Sequence, residues 1–266
     1  MTEQLTISLR GLSASGKGTI APILAKELNV QHIDCGLLFR AIALYICEHQ
    51  ITSKHLFLEK VRIRMICETV FIVEEKTYPR EQLQTEKVGY LAAELAKSHS
   101  EQLVSLVNEL LSSMSRVVVD GRNAGLNILP NPDFSFFLQA SLKSRIQRRY
   151  EQERFINKEI KKSEIKSSLI KRDTVDQKRD RKLTEPQLNE HIIVTDGKTP
   201  LQCAREIVSV VRIKTKMLAW TAVDKHGDFF TYEDGTVVVV RNKSQIPIRV
   251  RESEEYSVVK IELKFA

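Results

Sequence analysis

The stretch that decides the fold is Gly11-Leu12-Ser13-Ala14-Ser15-Gly16-Lys17-Gly18-Thr19, which fits the phosphate-loop pattern G-x4-G-K. A β-rich run, Leu5–Arg10, precedes it, and the run Thr19–Leu28 follows with apolar residues at helical spacing. This order predicts a strand, a phosphate-binding loop and a helix. In that geometry the backbone amides of residues 14–19 point at donor phosphates, at the positive end of the helix dipole.

Two side chains of this loop carry the expected chemistry, and the whole loop from Gly11 to Thr19 is predicted to bind ATP. Lys17 is placed to reach the β and γ phosphates and to stabilise the charge that develops in transfer. Thr19 is the predicted magnesium ligand, partly through water. The strict motif has Ser or Thr directly after the lysine, whereas Gly18 intervenes here. The Gly-Lys-Gly-Thr variant is similar to the one that many nucleoside monophosphate kinases use, which favours them over GTPases.

The remainder of the first 211 residues alternates between runs that predict strands and runs that predict helices. The predicted strands are Val30–Ile33, Arg116–Val119, Phe134–Leu138 and Ile192–Val194. The predicted helices are Leu37–Ile46, Thr85–Lys97, Glu101–Ser113 and Pro200–Val211. Strands that are apolar on both faces and alternate with helices indicate a parallel sheet covered on both sides. We therefore predict a three-layer α/β/α phosphate-loop domain over residues 1–211.

Two segments interrupt this pattern. The β-rich runs Val61–Ile66 and Val70–Val73 predict a small sheet inserted at about residues 50–100. The segment Arg145–Pro186 is basic and has almost no aromatic residues; we predict helix to about Lys171 and a loop-like stretch after it. We interpret this segment as a cationic lid that closes over bound phosphates and excludes water. A solvated helical face is the alternative interpretation.

The character of the chain changes beyond Arg212. The β-type runs are Met217–Val223, Phe229–Tyr232, Thr236–Val240, Ile246–Val250 and Tyr256–Leu263. Asp-Gly between apolar runs is a strong hairpin signal, so residues 212–266 predict a small antiparallel β domain. Its aromatic residues are typical of a domain core or, alternatively, of a platform that presents a nucleic acid: Trp220, Phe229, Phe230 and Tyr232. A third interpretation is self-association through an exposed edge strand, with a monomer as the alternative.

Composition narrows the class of protein. The net charge of +7 and the pI near 9.2 suit a nucleic acid, a membrane surface or an anionic substrate. Because much of the basic charge lies in the lid segment, phosphates are the expected partner and nucleic acid is not. The N-terminus opens on a predicted strand instead of a signal peptide, and no apolar run reaches the roughly 18 residues of a membrane span. We expect a cytoplasmic protein with reduced cysteines and no metal held by side chains alone.

Further segments, in order along the chain, resemble the bacterial cytidylate kinases. These segments are His32–Arg40, Leu83–Gly89, Val119–Gly125, Phe136–Ser141 and Arg172–Arg179. They resemble the family patterns I-D-[ST]-G-x-x-Y-R, I-R-T-E-x-V-G, [DE]-G-R-D-x-G, the strand that follows it, and R-D-x-x-D-x-x-R. The resemblance covers about residues 5–211 and leaves the β tail outside. It implies transfer of the γ-phosphate of ATP to a nucleoside monophosphate, with Mg²⁺, and an inserted sheet that grips the acceptor.

The resemblance also implies roles for particular residues. Arg40, Arg122 and Arg179 are expected to bind the acceptor phosphate, and Asp176 the ribose hydroxyls. Arg172 is expected to bridge donor and acceptor. Arg149 is placed on the ATP side. The implied catalytic set is Lys17, Arg122, Arg172 and Arg179. Guanidinium groups suit this task because they are permanently charged and bind phosphate with two donors at once.

Two carboxylates follow predicted strands at the edge where the phosphate loop lies. Asp34 and Asp120 can orient water around a magnesium ion in a site of this kind. The alternative is that each is simply a helix-cap or turn carboxylate. Both interpretations stay open at the level of sequence.

The positions with which the family reads cytosine are altered. A gapless match from Thr85 places Ala93 at the family's serine, Gln102 or its neighbour Glu101 at its arginine, and Asn123 at its aspartate. Asp34-Cys35 and Leu38-Phe39 also lack the family's hydroxyl-bearing Ser or Thr and its Tyr. A pocket built to hydrogen-bond one base edge rejects others, since its polar groups would go unpaired. We therefore hypothesise that Cys35, Ala93, Gln102 and Asn123 line an acceptor pocket for a base other than cytosine, and Asp34 is also predicted on the substrate side.

Two other functions remain open from the sequence. One is a catalytically inactive nucleotide-binding sensor, which the retained lysine and arginines argue against. The other is a kinase of a modified nucleoside or a nucleic acid, in which the β tail presents the acceptor.

Overall fold

The computed structural model describes residues 4–67, 70–154, 159–224 and 256–262. The chain divides into two compact units, Met1–Ile207 and Val208–Ala266. The division lies inside a helix, so the predicted limits 1–211 and 212–266 stay a prediction. Among the described helices, none is both long and apolar enough to cross a membrane.

The described strands and helices alternate over most of the first unit. The strands are β1 Leu5–Gly11, β2 Gln31–Asp34, β3 Ile63–Cys67, β4 Val70–Val73, β5 Lys76–Pro79, β6 Arg116–Asp120, β7 Phe134–Gln139, β8 His191–Val194, β9 Leu218–Asp224 and β10 Tyr256–Glu262. The helices are α1 Lys17–Leu28, α2 Cys35–Glu48, α3 Lys54–Leu58, α4 Arg80–Leu83, α5 Glu86–Ser98, α6 Ser100–Ser112, α7 Leu142–Glu153, α8 Lys162–Arg179 and α9 Pro200–Met217.

The main sheet has the order β2-β6-β1-β7-β8, and each described pairing within it is parallel. This confirms the predicted α/β fold class with its parallel sheet. Strand β1 lies at the centre, and all seven of its residues are buried. The carboxyl ends of β1, β2 and β6 therefore meet at one edge, which is where ligands bind in open α/β sheets.

The polar side chains of β1 are buried but paired. The hydroxyl of Thr6 donates to the Asp133 carboxylate at 2.9 Å, and the hydroxyls of Ser8 and Ser135 lie 2.7 Å apart. Arg10 forms an ion pair with Glu190. Buried polar groups are tolerated in this way only when they are hydrogen-bonded.

The predicted insert forms an antiparallel sheet in the order β3-β4-β5. Its core is continuous with the main domain, because one hydrophobic cluster joins α2, the insert, α6 and β6 through Leu38, Ile42, Tyr78, Leu103 and Val119. The Tyr78 hydroxyl donates to Glu48 at 2.6 Å at the far end of α2. Helix α5 then begins at a cap in which the Thr85 hydroxyl accepts from the Val88 amide.

The lid segment contains α7 and α8. Helix α8 continues to Arg179, so the predicted loop-like stretch after Lys171 is wrong as far as that residue. The physical reason is the composition of its buried face, which consists of Ile165, Leu169 and Asp176. An apolar stripe that ends in a carboxylate cannot be recognised from hydrophobic periodicity.

In the second unit the described strands β9 and β10 form an antiparallel pair. The other predicted strands of the tail, Phe229–Tyr232, Thr236–Val240 and Ile246–Val250, lie outside the described residues. The β domain as a whole therefore stays a prediction.

Candidate active site

The phosphate loop connects the end of β1 with the first turn of α1. Gly11 has φ 145°, and a Cβ there would lie only 2.5 Å from the carbonyl oxygen of Leu138 on β7. Gly16, the N-cap of α1, has φ 107°. Both backbone conformations strongly favour glycine, and they turn the chain so that the start of α1 opens toward the sheet edge.

Two arginines of the lid helix α7 donate hydrogen bonds to backbone carbonyls of this loop. Arg148 donates from Nη1 to the Ser15 carbonyl at 3.1 Å and to the Thr195 hydroxyl at 2.9 Å, and from Nη2 to the Thr195 carbonyl at 2.6 Å. Arg145 donates to the Ser13 carbonyl at 3.3 Å. Because these contacts fix loop carbonyls, they also fix the orientation of the peptide groups that present amides to a phosphate. Sequence reasoning included Arg145 only as a lid boundary and missed Arg148.

Lys17 lies at the first position of α1 and folds back onto its own loop. Its Nζ donates to the carbonyls of Gly11 and Leu12 at 2.7 and 3.0 Å. Burial, and after it the nearby charge of Arg122, lower the pKa of Lys17 to about 8, although Asp120 and Asp34 act in the opposite direction. An anion beside Nζ would offset both effects, so the ammonium is poised for a phosphate.

Asp34 and Asp120 are cross-strand neighbours at the ends of β2 and β6. One Asp34 oxygen, Oδ1, caps α2 by accepting from the Leu37 amide at 3.0 Å, so the helix-cap interpretation holds for that atom. The other oxygen lies 3.9 Å from the point where a Cβ of Gly18 would be. Asp120 contacts His32 Nε2 at 2.8 Å. Burial, and then the charge of Asp120, raise the pKa of Asp34 to about 6.

A cleft of about 280 Å³ opens beside the loop. Its lining combines the loop residues Ser13 to Thr19 with Asp34, Asp120 and five guanidinium groups, those of Arg40, Arg80, Arg122, Arg149 and Arg172. The predicted arginines 40, 122, 149 and 172 thus meet at the loop that carries Lys17. Such a concentration of positive charge around a polar cleft suits ligands with several negative charges.

The arginines of the cleft lower one another's pKa. Burial, followed by the nearby charges of Arg172, Arg179 and Arg145, lowers the pKa of Arg122 to about 10 against the opposing effect of Asp173. The pKa of Arg40 is lowered by burial and then by Arg172. The arginines are therefore close enough to repel each other, and a bound polyanion would relieve that repulsion.

Helix α8 supplies the remaining predicted charged residues. Asp176 is buried and forms an ion pair with Nη1 of Arg122. Arg179 is the last residue of α8 and is exposed, but it lies near enough to Arg122 to affect its pKa. In the described conformation Asp176 therefore binds an arginine of the site directly.

Among the residues that the structure describes, those predicted to read the base are not among those that line the cleft at the phosphate loop. Ala93 is exposed on α5, and the Gln102 amide on α6 lies 2.9 Å from His55 Nδ1. Asn123 accepts through its backbone carbonyl at the start of a short π-helix, Ala124–Ile128. Cys35 is buried, and its Cβ lies 3.3 Å from the point where a Cβ of Gly121 would be. Within the described part of the chain, none of these four is among the side chains that line the cleft.

The structure adds Arg80 and Gln84, which sequence reasoning did not single out. Both belong to the insert and line the cleft. A signal was available, because Gln84 stands where the family pattern I-R-T-E has its arginine, and Arg80 precedes it by one helical turn.

A second cavity, of about 720 Å³, lies between the end of α2 and the β4–β5 turn. Tyr45 stacks on His49 and Phe57 beside it, with ring centroids 4.0 and 5.5 Å apart. Its lining contains none of the predicted site residues. The cleft at the phosphate loop is therefore the candidate active site.

Comparison with known proteins decides the family. A family model described as cytidylate kinase matches residues 7–213. The chain belongs to the cytidylate kinase family. This confirms the resemblance drawn from the motif order, and the match ends close to the predicted limit of the kinase domain.

Relatives in this family match the chain along nearly their whole length. A cytidylate kinase of Aquifex aeolicus is 29% identical over 218 residues, which cover 80% of this chain and 98% of the relative. One from Thermotoga neapolitana is 32% identical over 218 residues, 79% of this chain and 98% of the relative. Among solved structures, a shikimate kinase from Acinetobacter baumannii in complex with shikimate matches 80% of this chain and 94% of its own, with 16% identity and a TM-score of 0.43.

Proposed function

We propose that the cleft transfers the γ-phosphate of ATP to a nucleoside monophosphate, as the cytidylate kinase family does. The observation that carries this is the meeting of the phosphate loop with the guanidinium groups of residues 40, 80, 122, 149 and 172 in one cleft. Phosphoryl transfer between two polyanions depends almost entirely on positioning and on neutralising charge. A ring of cations facing loop amides supplies both.

On the donor side, the loop amides and Lys17 bind the triphosphate. Lys17 leaves the carbonyls of Gly11 and Leu12 and pairs with the β and γ phosphates, and Arg149 contacts the ATP from the lid. Arg149 is held for this by an ion pair between its Nε and Glu153 at 2.5 Å. The γ-phosphoryl group thereby lies at the mouth of the loop, facing Arg122.

Magnesium fits the same side of the cleft. In the described residues no cluster of three His, Cys, Asp or Glu side chains could hold a metal alone. Thr19, Asp34 and Asp120 nevertheless offer oxygen atoms at the loop, the donor type that Mg²⁺ prefers alongside phosphate oxygens and water. We infer that Thr19 holds the ion and that the two carboxylates orient its water. When bound, Mg²⁺ neutralises charge on the β and γ phosphates.

On the acceptor side, Arg40, Arg122 and Arg179 bind the monophosphate and Arg172 bridges the two phosphates. Asp176 pairs with Arg122 in the described conformation. When the acceptor phosphate takes over Arg122, the carboxylate is released to hold the ribose hydroxyls. This exchange keeps both groups paired before and after binding, as buried charges require.

We further propose that cytosine is not the preferred base. The support is the chemistry of Ala93, Gln102 and Asn123, which replace the family's serine, arginine and aspartate. An amide in place of a charged group changes the pattern of donors and acceptors offered to a base edge.

One set of assays tests these proposals together. CMP, dCMP, UMP, dUMP, dTMP, GMP and AMP are offered with ATP and Mg²⁺, and ADP formation is followed with and without each acceptor. We expect acceptor-dependent turnover that is lost in Lys17→Ala and on chelation of Mg²⁺ by EDTA. Dominant turnover of CMP and dCMP would refute the changed base. Tight ATP binding without turnover of any acceptor would instead support the nucleotide sensor.

A further inference from the structure

Arg80 begins α4, directly after the last strand of the inserted sheet. Its side chain reaches across to the phosphate loop. A Cβ placed on Gly18 would lie 3.4 Å from Arg80 Nη2 and 3.9 Å from Asp34 Oδ2. The guanidinium therefore lies against the phosphate loop at Gly18, the residue that follows Lys17.

Arg80 differs from the other cleft arginines in the element that carries it. Arg40 belongs to α2, Arg122 follows β6, and Arg149 and Arg172 belong to the lid. Among the described residues that line the cleft, Arg80 is the one cation from the insert, residues 50–100.

Neighbouring groups hold Arg80 in this position. With the Gln84 amide turned so that both groups are satisfied, its oxygen accepts from Arg80 Nε at 2.9 Å and from Nη2 at 3.3 Å. Arg80 also lowers the pKa of both Asp34 and Arg40. The guanidinium is thus near the carboxylate on the donor side and the arginine on the acceptor side at the same time.

From this geometry we infer that Arg80 is a further catalytic residue, which binds the phosphoryl group in flight from the insert side. The inference rests on the proposed kinase function and extends it to a residue that the family motifs do not contain. In the transfer, the bond between the γ-phosphorus and the oxygen of the departing ADP breaks, and a bond to an acceptor phosphate oxygen forms. Arg80 neutralises charge on the oxygens that stay with the moving phosphorus and exchanges no proton with them.

Kinetics of Arg80→Ala, Arg80→Lys and the matched control Arg62→Ala test the role. Arg62 lies in the same insert, but its side chain is 83% exposed and pairs with Glu74. Removal of one donor to transition-state charge costs roughly 100-fold in kcat. We expect that loss in Arg80→Ala with a small change in KM for the acceptor, partial recovery in Arg80→Lys, and wild-type rates in Arg62→Ala.

A binding measurement keeps the test independent of the acceptor. Calorimetry compares the binding of ATP with that of ADP, because on this proposal Arg80 contacts the γ-phosphate, which ADP lacks. Arg80→Ala should weaken ATP by about tenfold and leave ADP unchanged, in line with the loss of one charge-assisted hydrogen bond.

The outcomes separate the two proposals. Wild-type kcat and ATP affinity in Arg80→Ala, beside an inactive Lys17→Ala, would overturn the role of Arg80 and leave the kinase intact. Absence of turnover in the wild type with every monophosphate would overturn the proposed function. The ratio of ATP to ADP affinity would then still decide whether Arg80 contacts the terminal phosphate.

Discussion

Replacement of Arg10 by methionine is the sharpest test of how the site is held together. Arg10 is fully buried in β1, next to the phosphate loop, and its Nε donates to Glu190 at 2.6 Å. Its Nη atoms donate to the carbonyls of Lys182 and Glu185 at 2.9–3.0 Å. One guanidinium therefore connects the central strand with the end of the lid segment and with Glu190, which follows it.

The expected loss in the free energy of unfolding follows from the buried groups that lose their partner. Arg10→Met leaves the Glu190 carboxylate buried without its cation, and breaking a buried ion pair in this way costs about 3–5 kcal/mol. The carbonyls of Lys182 and Glu185 also lose donors, which adds to the cost when they stay dry. We expect the free energy of unfolding to fall by at least about 3 kcal/mol. That is a large part of the total stability of a typical domain.

Urea denaturation followed by far-UV circular dichroism measures the effect. The single tryptophan, Trp220, belongs to the second compact unit, so its fluorescence would report the wrong part of the chain. A matched double variant combines Arg10→Met with Glu190→Gln and so removes the buried charge. In the wild type the backbone N–H of Gln187 donates to Glu190 at 2.7 Å, and a glutamine at position 190 keeps an acceptor for it. It should recover about 2 kcal/mol relative to the single variant. A loss below about 1 kcal/mol in Arg10→Met would refute the reasoning, since it would mean that Glu190 finds water or another cation at no cost.

Other predictions follow from the same contacts. Gly11→Ala should lower Tm sharply and abolish ATP binding, because its Cβ would meet a β7 carbonyl at 2.5 Å; a normal melting curve would contradict this. Arg148→Met should raise KM for ATP about tenfold with little effect on KM for the acceptor, since it loosens the loop that binds the donor. The exposed Arg205→Met serves as its control, and equal effects of the two changes would contradict the assignment. Hydrogen exchange over 162–179 should slow when ATP and acceptor bind together, and unchanged exchange would count against a lid. Light scattering should show a smaller particle for a chain cut after Met217 if the tail mediates self-association, and an unchanged state otherwise.

The sequence predicted what depends on local chemistry. The phosphate loop was recognisable because its glycines and lysine stand in a short fixed pattern between a strand and a helix. The parallel sheet was recognisable because the buried strands β6 and β7 contain the apolar runs Val117–Val119 and Phe136–Leu138 between predicted helices. Arg40, Arg122 and Arg172 line the cleft, and each was singled out because it belongs to a short motif; their roles toward donor and acceptor stay predictions.

The features that could not be predicted from the sequence depend on pairs of residues that are distant along the chain. Arg10 and Glu190 are 180 positions apart, so nothing near Arg10 indicated that a buried arginine had a partner. Helix α8 was missed beyond Lys171 because its buried face uses Asp176, which pairs with Arg122. A charged residue can belong to a buried face only when a partner from another element neutralises it, and periodicity alone does not reveal that partner.

The same reasoning explains why Arg80 and the base-reading positions behave differently. Arg80 starts α4, directly after the last strand of the insert, and its contact with the phosphate loop is one that no local pattern specifies. Ala93 and Gln102 were located by motif spacing, and in the described conformation they lie on α5 and α6 away from the cleft lining. If they read the base, the insert must move toward the loop when the acceptor binds. Because Arg80 already lies against the loop at Gly18, such a movement would act directly on the residue that we propose to stabilise the transfer.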